Sequence, residues 1–444
     1  MYASFAYRRS PVRLQESLIA ARAALRARLR EGRSFRALSA QVDDSQWWSA
    51  AELRAYRERS LDNLLAFAAR EVPYYRERVP AGTPPGQWPL LDKAAVRAAG
   101  RALLAGRRRG PLVPGSTSGT SGAPLPLWQD LAAINRENAF VWRQLEWAGL
   151  RRGERRAWMR GDMIVPAAQR EPPYWRMNRA ENMLMLSSYH LAESSAAPYL
   201  AALAEFDPVL IQAYPSSIGF LAAWMLASGQ RYRGPALRGI VTSSETMPAA
   251  RRRDIAVAFG CPVFDWYGQA ERVAAAGTCE HGGLHLLDDY SCVELLPAGD
   301  GWHELVGTGL NNYAMPLIRY RSGDLVRPAP AGRICPCGRD FPLLERIAGR
   351  DDDAVRLPDG RVIGRLDHVF KGVGGIIEAQ LRQERDGALT VLLVPGPDFG
   401  APARRALLGN LRERLGEELQ IELRSVDAIP RGANGKFRAV VSAL

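Results

Sequence analysis

Short apolar segments alternate with helix-like segments between about residues 112 and 300, and this alternation limits the possible fold more than any other feature of the sequence. One such pair is DPVLIQAY followed by SSIGFLAAWMLASG, and another is LRGIVTSSE followed by MPAARRRDIAVAFG. Alternating strands and helices are typical of layered α/β domains. The pattern therefore predicts an α/β fold with one large layered domain.

The regions on either side of this alternation have different patterns. The first hundred residues predict helices, one of which opens with a capping box formed by Ser49 and Glu52. After SCVELLP the chain reads as strand after strand, which predicts a β-rich subdomain. We therefore expect a large N-terminal domain over residues 1–348, with a helical segment over about 1–110.

A smaller unit follows the compact charged junction IAGRDDDAV. It has strand-like segments such as ALTVLLVPG and an amphipathic helix in APARRALLGNLRERLGEEL. We expect residues 349–444 to form a small α+β C-terminal domain.

Composition limits the class of protein. The chain has 444 residues, of which 47% are hydrophobic and 24% charged, enough for large packed cores. No apolar run approaches the length of a membrane span, and the first residues lack the apolar centre of a secretory signal, so we expect a cytoplasmic protein without a membrane span. The formal charge of +12 comes from scattered basic residues, and we expect no nucleic-acid partner.

The stretch GSTSGTSGAPLPL, residues 115–127, combines hydroxyl residues with glycines. Such segments let backbone N–H groups converge on an anion, while Ser and Thr hydroxyls add further donors. We expect a phosphate group as the ligand, although the Gly-Lys-Ser/Thr ending of the nucleotide-binding P-loop is missing. A plain Gly/Ser turn is the alternative interpretation.

Two close pairs of soft ligands occur in TCEHGG and CPCGR. Cys279 and His281 form one pair, and Cys335 and Cys337 form the other. Brought together across a long loop, two such pairs can supply the four ligands of a tetrahedral structural zinc site. Unligated thiols in loops are the alternative.

Four further segments carry side chains suited to nucleotide chemistry. VTSSETM and FDWYGQAER both follow strand-like segments, and ligands of α/β folds collect where strands end. Tyr267 can stack on a base, and Glu271 can hold a magnesium ion that carries phosphates. Asp324, after a glycine turn in RYRSGDL, can accept hydrogen bonds from ribose hydroxyls, and Lys436 lies on the glycine-flanked segment GANGKFR.

Together and in this order, these segments resemble the adenylate-forming superfamily of acyl-CoA synthetases, adenylation domains and luciferases. Within it the chain is most similar to the phenylacetate-CoA ligase group, in its CapK-like branch. The segments that carry this resemblance include WPLLDKAAVR, LSSYHLAESSAAPYLAALAEFDPVLIQAYPSSI, CPCGR and IIEAQLRQE. It covers nearly the whole chain and implies that the small domain is mobile.

The resemblance implies a role for each matching residue. The nucleotide would bind to Ser116, Thr117, Ser118, Gly119, Thr120, Ser121, Gly122, Ser244, Glu245, Tyr267, Gly268, Asp324 and Arg350. The pocket for the acid substrate would be lined by Tyr189, His190, Tyr214, Ser216 and Ser243. Lys436, Glu271 and Thr117 would be catalytic, Glu271 would ligate Mg²⁺, and Asp352 would be the hinge. Cys279, His281, Cys335 and Cys337 match a zinc-binding feature of the branch.

The implied activity is ATP- and Mg²⁺-dependent activation of a carboxylic acid as its acyl-adenylate, with release of pyrophosphate. Coenzyme A is the first choice of acyl acceptor, and an amine or a carrier-protein thiol follows. Two departures bear on this. Pro124 is followed by Leu125, where many superfamily members have Pro-Lys-Gly, and the segment after Asp352 departs from the pattern that lines the thiol tunnel of coenzyme A ligases.

Two other classes of function stay open from the residues alone. Net charge and the Cys/His pairs suit a zinc-organised nucleic-acid-binding protein. A non-catalytic acyl-binding relative is the other class, against which the joint presence of Glu271, Asp324 and Lys436 argues. The sequence specifies neither the acid nor the oligomeric state.

Overall fold

A computed structural model describes most of the chain. The described residues are 2, 4–30, 33–107, 110–117, 125–348, 355–363, 366–370, 373–396, 398–417, 419–429 and 439–443.

Helices dominate the first hundred described residues and recur between the strands. They are α1 Phe5–Arg9, α2 Val12–Arg30, α3 Arg33–Ser45, α4 Ala50–Glu71, α5 Pro73–Arg76, α6 Lys93–Ala99, α7 Leu131–Trp147, α8 Glu193–Phe206, α9 Pro215–Ala227, α10 Ala249–Phe259 and α11 Ala401–Leu415. No helix in the described ranges is both long enough and apolar enough to cross a lipid bilayer.

Within the described residues, the strands form one large sheet and three small ones. They are β1 Val113–Ser116, β2 Pro126–Gln129, β3 Arg156–Met159, β4 Trp175–Asn178, β5 Met183–Leu186, β6 Leu210–Ala213, β7 Gly239–Ser243, β8 Val263–Gly268, β9 Ala275–Thr278, β10 Leu284–Leu286, β11 Ser291–Gly299, β12 Trp302–Gly309, β13 Tyr320–Pro328, β14 Leu343–Ala348, β15 Val355–Arg356, β16 Val362–Ile363, β17 Ile376–Gln383, β18 Leu389–Pro395, β19 Ile421–Ser425 and β20 Val440–Ser442.

The large sheet has twelve strands in the order β11-β12-β13-β14-β10-β9-β8-β7-β6-β3-β5-β4. Strands β8, β7, β6, β3 and β5 pair in parallel with their neighbours in this order. On the other side of β8, every neighbouring pair from β8–β9 to β12–β11 is antiparallel. The predicted α/β fold is therefore confirmed. The β-rich segment continues the same sheet and does not form a sheet of its own.

The parallel part of the sheet is buried because helices α8, α9 and α10 connect its strands. Every residue of β5, β6 and β7 is buried, which explains why these strands read as apolar runs without alternation. One core cluster joins Ile211 of β6 and Ile240 of β7 to Leu221 of α9 and Ile255 of α10. This core fixes the strand ends on which the candidate site depends.

The N-terminal helices begin where the sequence predicts. The Ser49 hydroxyl accepts from the Glu52 backbone N–H, and the Glu52 carboxylate accepts from the Ser49 backbone N–H, so the predicted capping box opens α4. Tyr75 is fully buried, and its hydroxyl donates to the Pro316 carbonyl at 3.0 Å. The helical segment is thereby attached to the chain just before β13.

The C-terminal residues form a four-stranded sheet in the order β19-β18-β17-β20 and the short hairpin β15-β16. Leu407, Leu411 and Leu415 are buried along one side of α11, as the amphipathic pattern predicts. The core of this unit also includes Tyr189, which lies between β5 and α8 and whose backbone carbonyl accepts from Arg361 at 3.2 Å.

Candidate active site

Three parallel strands, β6, β7 and β8, end at one edge of the sheet. The residues at these ends are Tyr214, the Ser243–Glu245 segment and Gly268. Carboxyl ends of parallel strands share an edge, where α/β folds bind their ligands. The structure therefore brings together candidate residues that the sequence spreads over more than fifty positions.

Asp324 is held beside Tyr267 at this edge. The Tyr267 hydroxyl donates to Oδ2 of Asp324 at 2.8 Å, and Nε2 of Gln269 donates to the same oxygen at 3.0 Å. Burial and the negative charge of Asp324 raise the pKa of Tyr267, so its hydroxyl stays a donor. Both bonds go to Oδ2, so among the described residues Oδ1 of Asp324 can still accept a hydrogen bond from a ligand hydroxyl.

A bulge in β13 presents Asp324. Strands β12 and β13 pair at Glu304–Leu325 and again at Val306–Arg321, so three residues of β13 oppose one residue of β12. Gly323 takes a φ of +73° inside this bulge, a conformation that favours glycine. The sequence predicted a glycine turn before Asp324, and the structure places that irregularity inside a strand.

Glu271 lies in the connection between β8 and β9 and is held by Tyr320. The Tyr320 hydroxyl is buried and donates to Oε1 of Glu271 at 3.0 Å. Burial, together with the charges of Glu271 and Asp324, raises the pKa of Tyr320. Because the tyrosine stays protonated, it fixes one oxygen of the carboxylate and leaves the other for a cation.

Glu245 is anchored on the start of α9. Its carboxylate accepts from the Ser216 backbone N–H at 2.7 Å and from the Ser216 hydroxyl at 2.9 Å. Ser244 takes a φ of +73°, and its hydroxyl accepts from Arg160 at 2.7 Å. Arg160 follows β3 and was not among the predicted site residues. Its signal in the sequence is an arginine directly after the apolar strand RAWM.

The β1–β2 hairpin closes the base of the predicted phosphate-binding segment. The Thr117 backbone N–H donates to the Leu125 carbonyl at 3.1 Å, and the Leu125 N–H donates to the Thr117 hydroxyl at 2.9 Å. The buried Thr117 side chain is thus engaged in holding the two ends together. Residues 118–122 of the prediction lie outside the described residues.

Two predicted substrate-pocket residues are packed into the protein. The Tyr189 hydroxyl donates to the Gly161 carbonyl at 3.2 Å. Nδ1 of His190 pairs with the Ser187 hydroxyl at 2.8 Å, and its Nε2 pairs with the Pro166 carbonyl at 3.2 Å. Both ring nitrogens of His190 therefore have protein partners, which is the environment of a core histidine.

Arg350, Asp352 and Lys436 lie outside the described residues. Their predicted roles in nucleotide binding, hinge motion and catalysis stay predictions.

Three of the four predicted metal ligands are brought together at the opposite edge of the sheet, and a different histidine completes the group. One ligand atom each from Cys279, His285, Cys335 and Cys337 lies within 4.8 Å of the others, and all four side chains are buried. His281 is exposed and is not part of this cluster. The prediction that His281 completes the cluster is corrected to His285, because Gly282 and Gly283 reverse the chain and β10 returns His285 to the cysteines.

Local contacts suit this cluster to a metal ion. Nδ1 of His285 lies 3.4 Å from the Phe341 carbonyl, which leaves Nε2, 3.3 Å from the Cys337 sulfur, as the ligand atom. Burial lowers the pKa of His285 to about 4, so the ring is neutral near pH 7. A Cβ on Gly283 would lie 2.7 Å from the Cys335 sulfur, so glycine makes room for the ligands there.

The candidate edge combines two positioned carboxylates with hydroxyl donors. Asp324 can accept hydrogen bonds from a sugar, and Glu271 fits the hard oxygen ligand that Mg²⁺ prefers. Two carboxylates alone would repel a phosphate. A nucleotide at this edge would therefore need a cation or further donors beside the carboxylates.

Comparisons with known proteins show which sequences and folds the chain is similar to. Residues 356–443 match the CapK C-terminal domain family. The chain is 24% identical to protein CapK of Staphylococcus aureus, over 76% of this chain and 75% of that protein. It is 24% identical to a phenylacetate-coenzyme A ligase of Thermus thermophilus, over 88% of this chain and 96% of that enzyme.

Solved structures of acyl-CoA ligases have the same fold as this chain. A 2-hydroxyisobutyryl-CoA ligase, crystallised with 2-HIB-AMP and CoA, superposes with a TM-score of 0.55 at 21% identity, over 90% of this chain and 92% of that one. The resemblance read from the sequence is confirmed: the chain has the acyl-CoA ligase fold and is a homologue of CapK and of the phenylacetate-coenzyme A ligases.

Proposed function

We propose that the chain is an ATP-dependent, AMP-forming acid–CoA ligase. One observation carries the proposal: Asp324 and Glu271, each held by a tyrosine hydroxyl, lie at one sheet edge. A carboxylate pair arranged in this way suits a nucleotide bound as its Mg²⁺ complex, because the cation offsets the negative charge of the carboxylates. The homologous phenylacetate-coenzyme A ligases support the same activity.

In the first half-reaction an oxygen of the acid attacks the α-phosphorus of ATP. A bond forms between that carboxylate oxygen and the α-phosphorus. The bond between the α-phosphorus and the oxygen that bridges to the β-phosphorus breaks, and pyrophosphate leaves. The attack brings anions together, so the site must offset negative charge in the transition state. Mg²⁺ held by Glu271, the donors of the segment after Thr117 and the ammonium group of Lys436 would supply that offset.

In the second half-reaction a thiol sulfur attacks the acyl carbon, the thiol proton is lost and AMP leaves. Coenzyme A is the proposed acceptor, as in the homologous ligases. The departure after Asp352 keeps an amine or a carrier-protein thiol as the second candidate. An enzyme that exchanges pyrophosphate but forms no coenzyme A thioester would favour that candidate.

We also propose that Cys279, His285, Cys335 and Cys337 hold one structural zinc ion. Four protein ligands complete a tetrahedral shell and leave no position for water or substrate. The ion would join the β9–β10 turn to the segment before β14 and would take no part in the reaction.

ATP–pyrophosphate exchange over a panel of aryl, alkyl and amino acids tests the activity. We expect at least one acid to stimulate exchange, and we expect Asp324→Asn to lower it strongly. Asp62→Asn, at an exposed position on α4, is the matched control and should keep the wild-type rate. ATP binding without acid-dependent exchange would instead favour a non-catalytic acyl-binding role.

A further inference from the structure

Arg160 is fixed between two aromatic rings at the candidate site. Its guanidinium carbon lies 5.0 Å from the ring centroid of Trp158 and 5.1 Å from that of Tyr214. One terminal nitrogen donates to the Ser244 hydroxyl at 2.7 Å, and the backbone carbonyl accepts from Ser188 at 3.0 Å. Three neighbours, Trp158, Tyr214 and Ser244, therefore contact the guanidinium, and Ser188 holds the backbone of the same residue.

The charge of Arg160 has no anionic partner among the described residues. No acidic side chain lies within 4.0 Å of its guanidinium, and its Nε is buried without a hydrogen-bond partner. The two acids of the neighbouring segments are engaged elsewhere: Asp162 accepts from the Trp158 indole at 2.7 Å, and Glu245 accepts from Ser216. A half-buried guanidinium of this kind is stabilised when an anion binds to it.

The surroundings of Arg160 are polar. Gly161 packs so closely that a Cβ there would lie 3.1 Å from the Tyr214 hydroxyl and 3.5 Å from the Tyr189 hydroxyl. The Ser244 hydroxyl bonds to the guanidinium itself, whereas the Ser188 and Tyr189 hydroxyls donate to the backbone carbonyls of Arg160 and Gly161. A pocket for an unsubstituted phenyl or alkyl group would instead be lined by apolar side chains.

The position in the sheet separates Arg160 from Tyr267 and Glu271, although its hydrogen-bond partner Ser244 is itself a candidate nucleotide residue. Strand β3 lies three strand spacings from β8, which is about 14 Å across the sheet. Tyr267 and Glu271 belong to the end of β8, so the carboxylate to be activated must lie near them. An acid activated near Tyr267 and Glu271 would therefore reach Arg160 only with its other end.

We propose that Arg160 binds a second anionic group of the acid substrate, so that the substrate is a dianionic acid such as a dicarboxylic acid. This inference rests on the proposed function. The guanidinium would form charge-assisted hydrogen bonds with that group while the other carboxylate is activated at the β8 end.

Pyrophosphate exchange with matched acids tests the inference. Hexanoate and adipate form one pair, and phenylacetate and 4-carboxyphenylacetate form another, so the members of each pair differ in one remote carboxylate. We expect the dianionic member to have the higher kcat/KM. In Arg160→Met its kcat/KM should fall roughly 10- to 150-fold, mainly through KM.

The same variant should leave the singly charged acids and the KM for ATP within about twofold of wild type, a split that a general loss of structure would not produce. Arg160→Lys should restore part of the preference for the dianionic acid. Arg155→Met is the matched control, because Arg155 precedes the opposite end of β3 and pairs with Asp207 on the surface.

Three results would contradict the inference. A wild-type preference for the singly charged acids overturns it while leaving the proposed function intact. A raised KM for ATP in Arg160→Met would assign the arginine to the nucleotide. If no acid in the panel supports exchange although the protein is folded, the proposed function fails, and the inference fails with it.

Discussion

The buried hydroxyl of Tyr320 donates a hydrogen bond of 3.0 Å to Oε1 of Glu271. Tyr320 is the first residue of β13, whereas Glu271 follows β8, so the contact joins two separate parts of the sheet. It fixes the carboxylate that we propose as the Mg²⁺ ligand.

Tyr320→Phe should weaken the response of the enzyme to Mg²⁺. Loss of a hydrogen bond that orients a metal-binding carboxylate typically costs roughly 10- to 100-fold in metal affinity or activity. We expect the Mg²⁺ concentration for half-maximal pyrophosphate exchange to rise by that order. Tyr290→Phe is the matched control, because Tyr290 is equally buried and donates to Glu137 at 2.5 Å. Equal changes in both variants would contradict the assignment.

Lys436→Ala should nearly abolish pyrophosphate exchange and leave ATP affinity almost unchanged. The ammonium group is proposed to offset charge that peaks in the transition state, and one such contact is worth on the order of 100- to 1000-fold in rate. A chemically supplied acyl-adenylate should still be converted to product. Lys93→Ala, which removes a lysine at the start of α6, serves as the control. Exchange at close to the normal rate in Lys436→Ala would refute this role.

His285→Ala should release the proposed zinc ion, whereas His281→Ala should retain it. Elemental analysis of the purified protein should find about one zinc per chain in wild type and in His281→Ala. Without the ion, the free energy of unfolding should fall by roughly 4 kcal/mol or more, because the metal contributes directly to folding. Metal-free wild-type protein of full stability would exclude a structural zinc site.

His190 should make the protein less stable as the pH falls. Burial, and then the nearby charge of Arg361, lower the pKa of His190 from 6.5 to about 4. Between these values the unfolded chain binds more protons on this side chain than the folded chain does, so stability falls as pH decreases from about 6.5 toward 4. One proton gives a slope of at most about 1.4 kcal/mol per pH unit.

Urea unfolding at a series of pH values between 7 and 4.5 would measure this effect. The free energy of unfolding should fall more steeply for wild type than for His190→Gln, since glutamine does not titrate. Parallel curves would mean that His190 is not held neutral in the folded protein.

Local patterns predicted the regular elements well. Segments DPVLIQAY and LRGIVTSSE form β6 and β7, and the capping box of Ser49 and Glu52 opens α4 as predicted. These features depend on neighbouring residues only. The continuous twelve-stranded sheet could not be predicted in the same way, because the pairing of β10 with β14 joins residues about sixty positions apart.

The candidate site shows the same division between local and distant information. The position of Glu271 after a strand-like segment, the glycine turn before Asp324 and the family resemblance predicted these two residues. The contact of Tyr320 with Glu271 could not be predicted, because nothing in the local sequence shows that β13 lies beside the β8–β9 connection. His285 was missed because His281 is closer to Cys279 in sequence. The glycine pair between the two histidines was the available signal for a turn that brings His285 back.

Strand β9 separates the two chemical centres of the molecule. Glu271 precedes this strand and Cys279 follows it, and β9 pairs antiparallel with β8 between them. The soft ligands therefore lie at the edge of the sheet that faces away from the reacting groups. If the cluster holds the proposed zinc ion, zinc depletion should lower the amount of folded protein and leave the rate per folded copy unchanged.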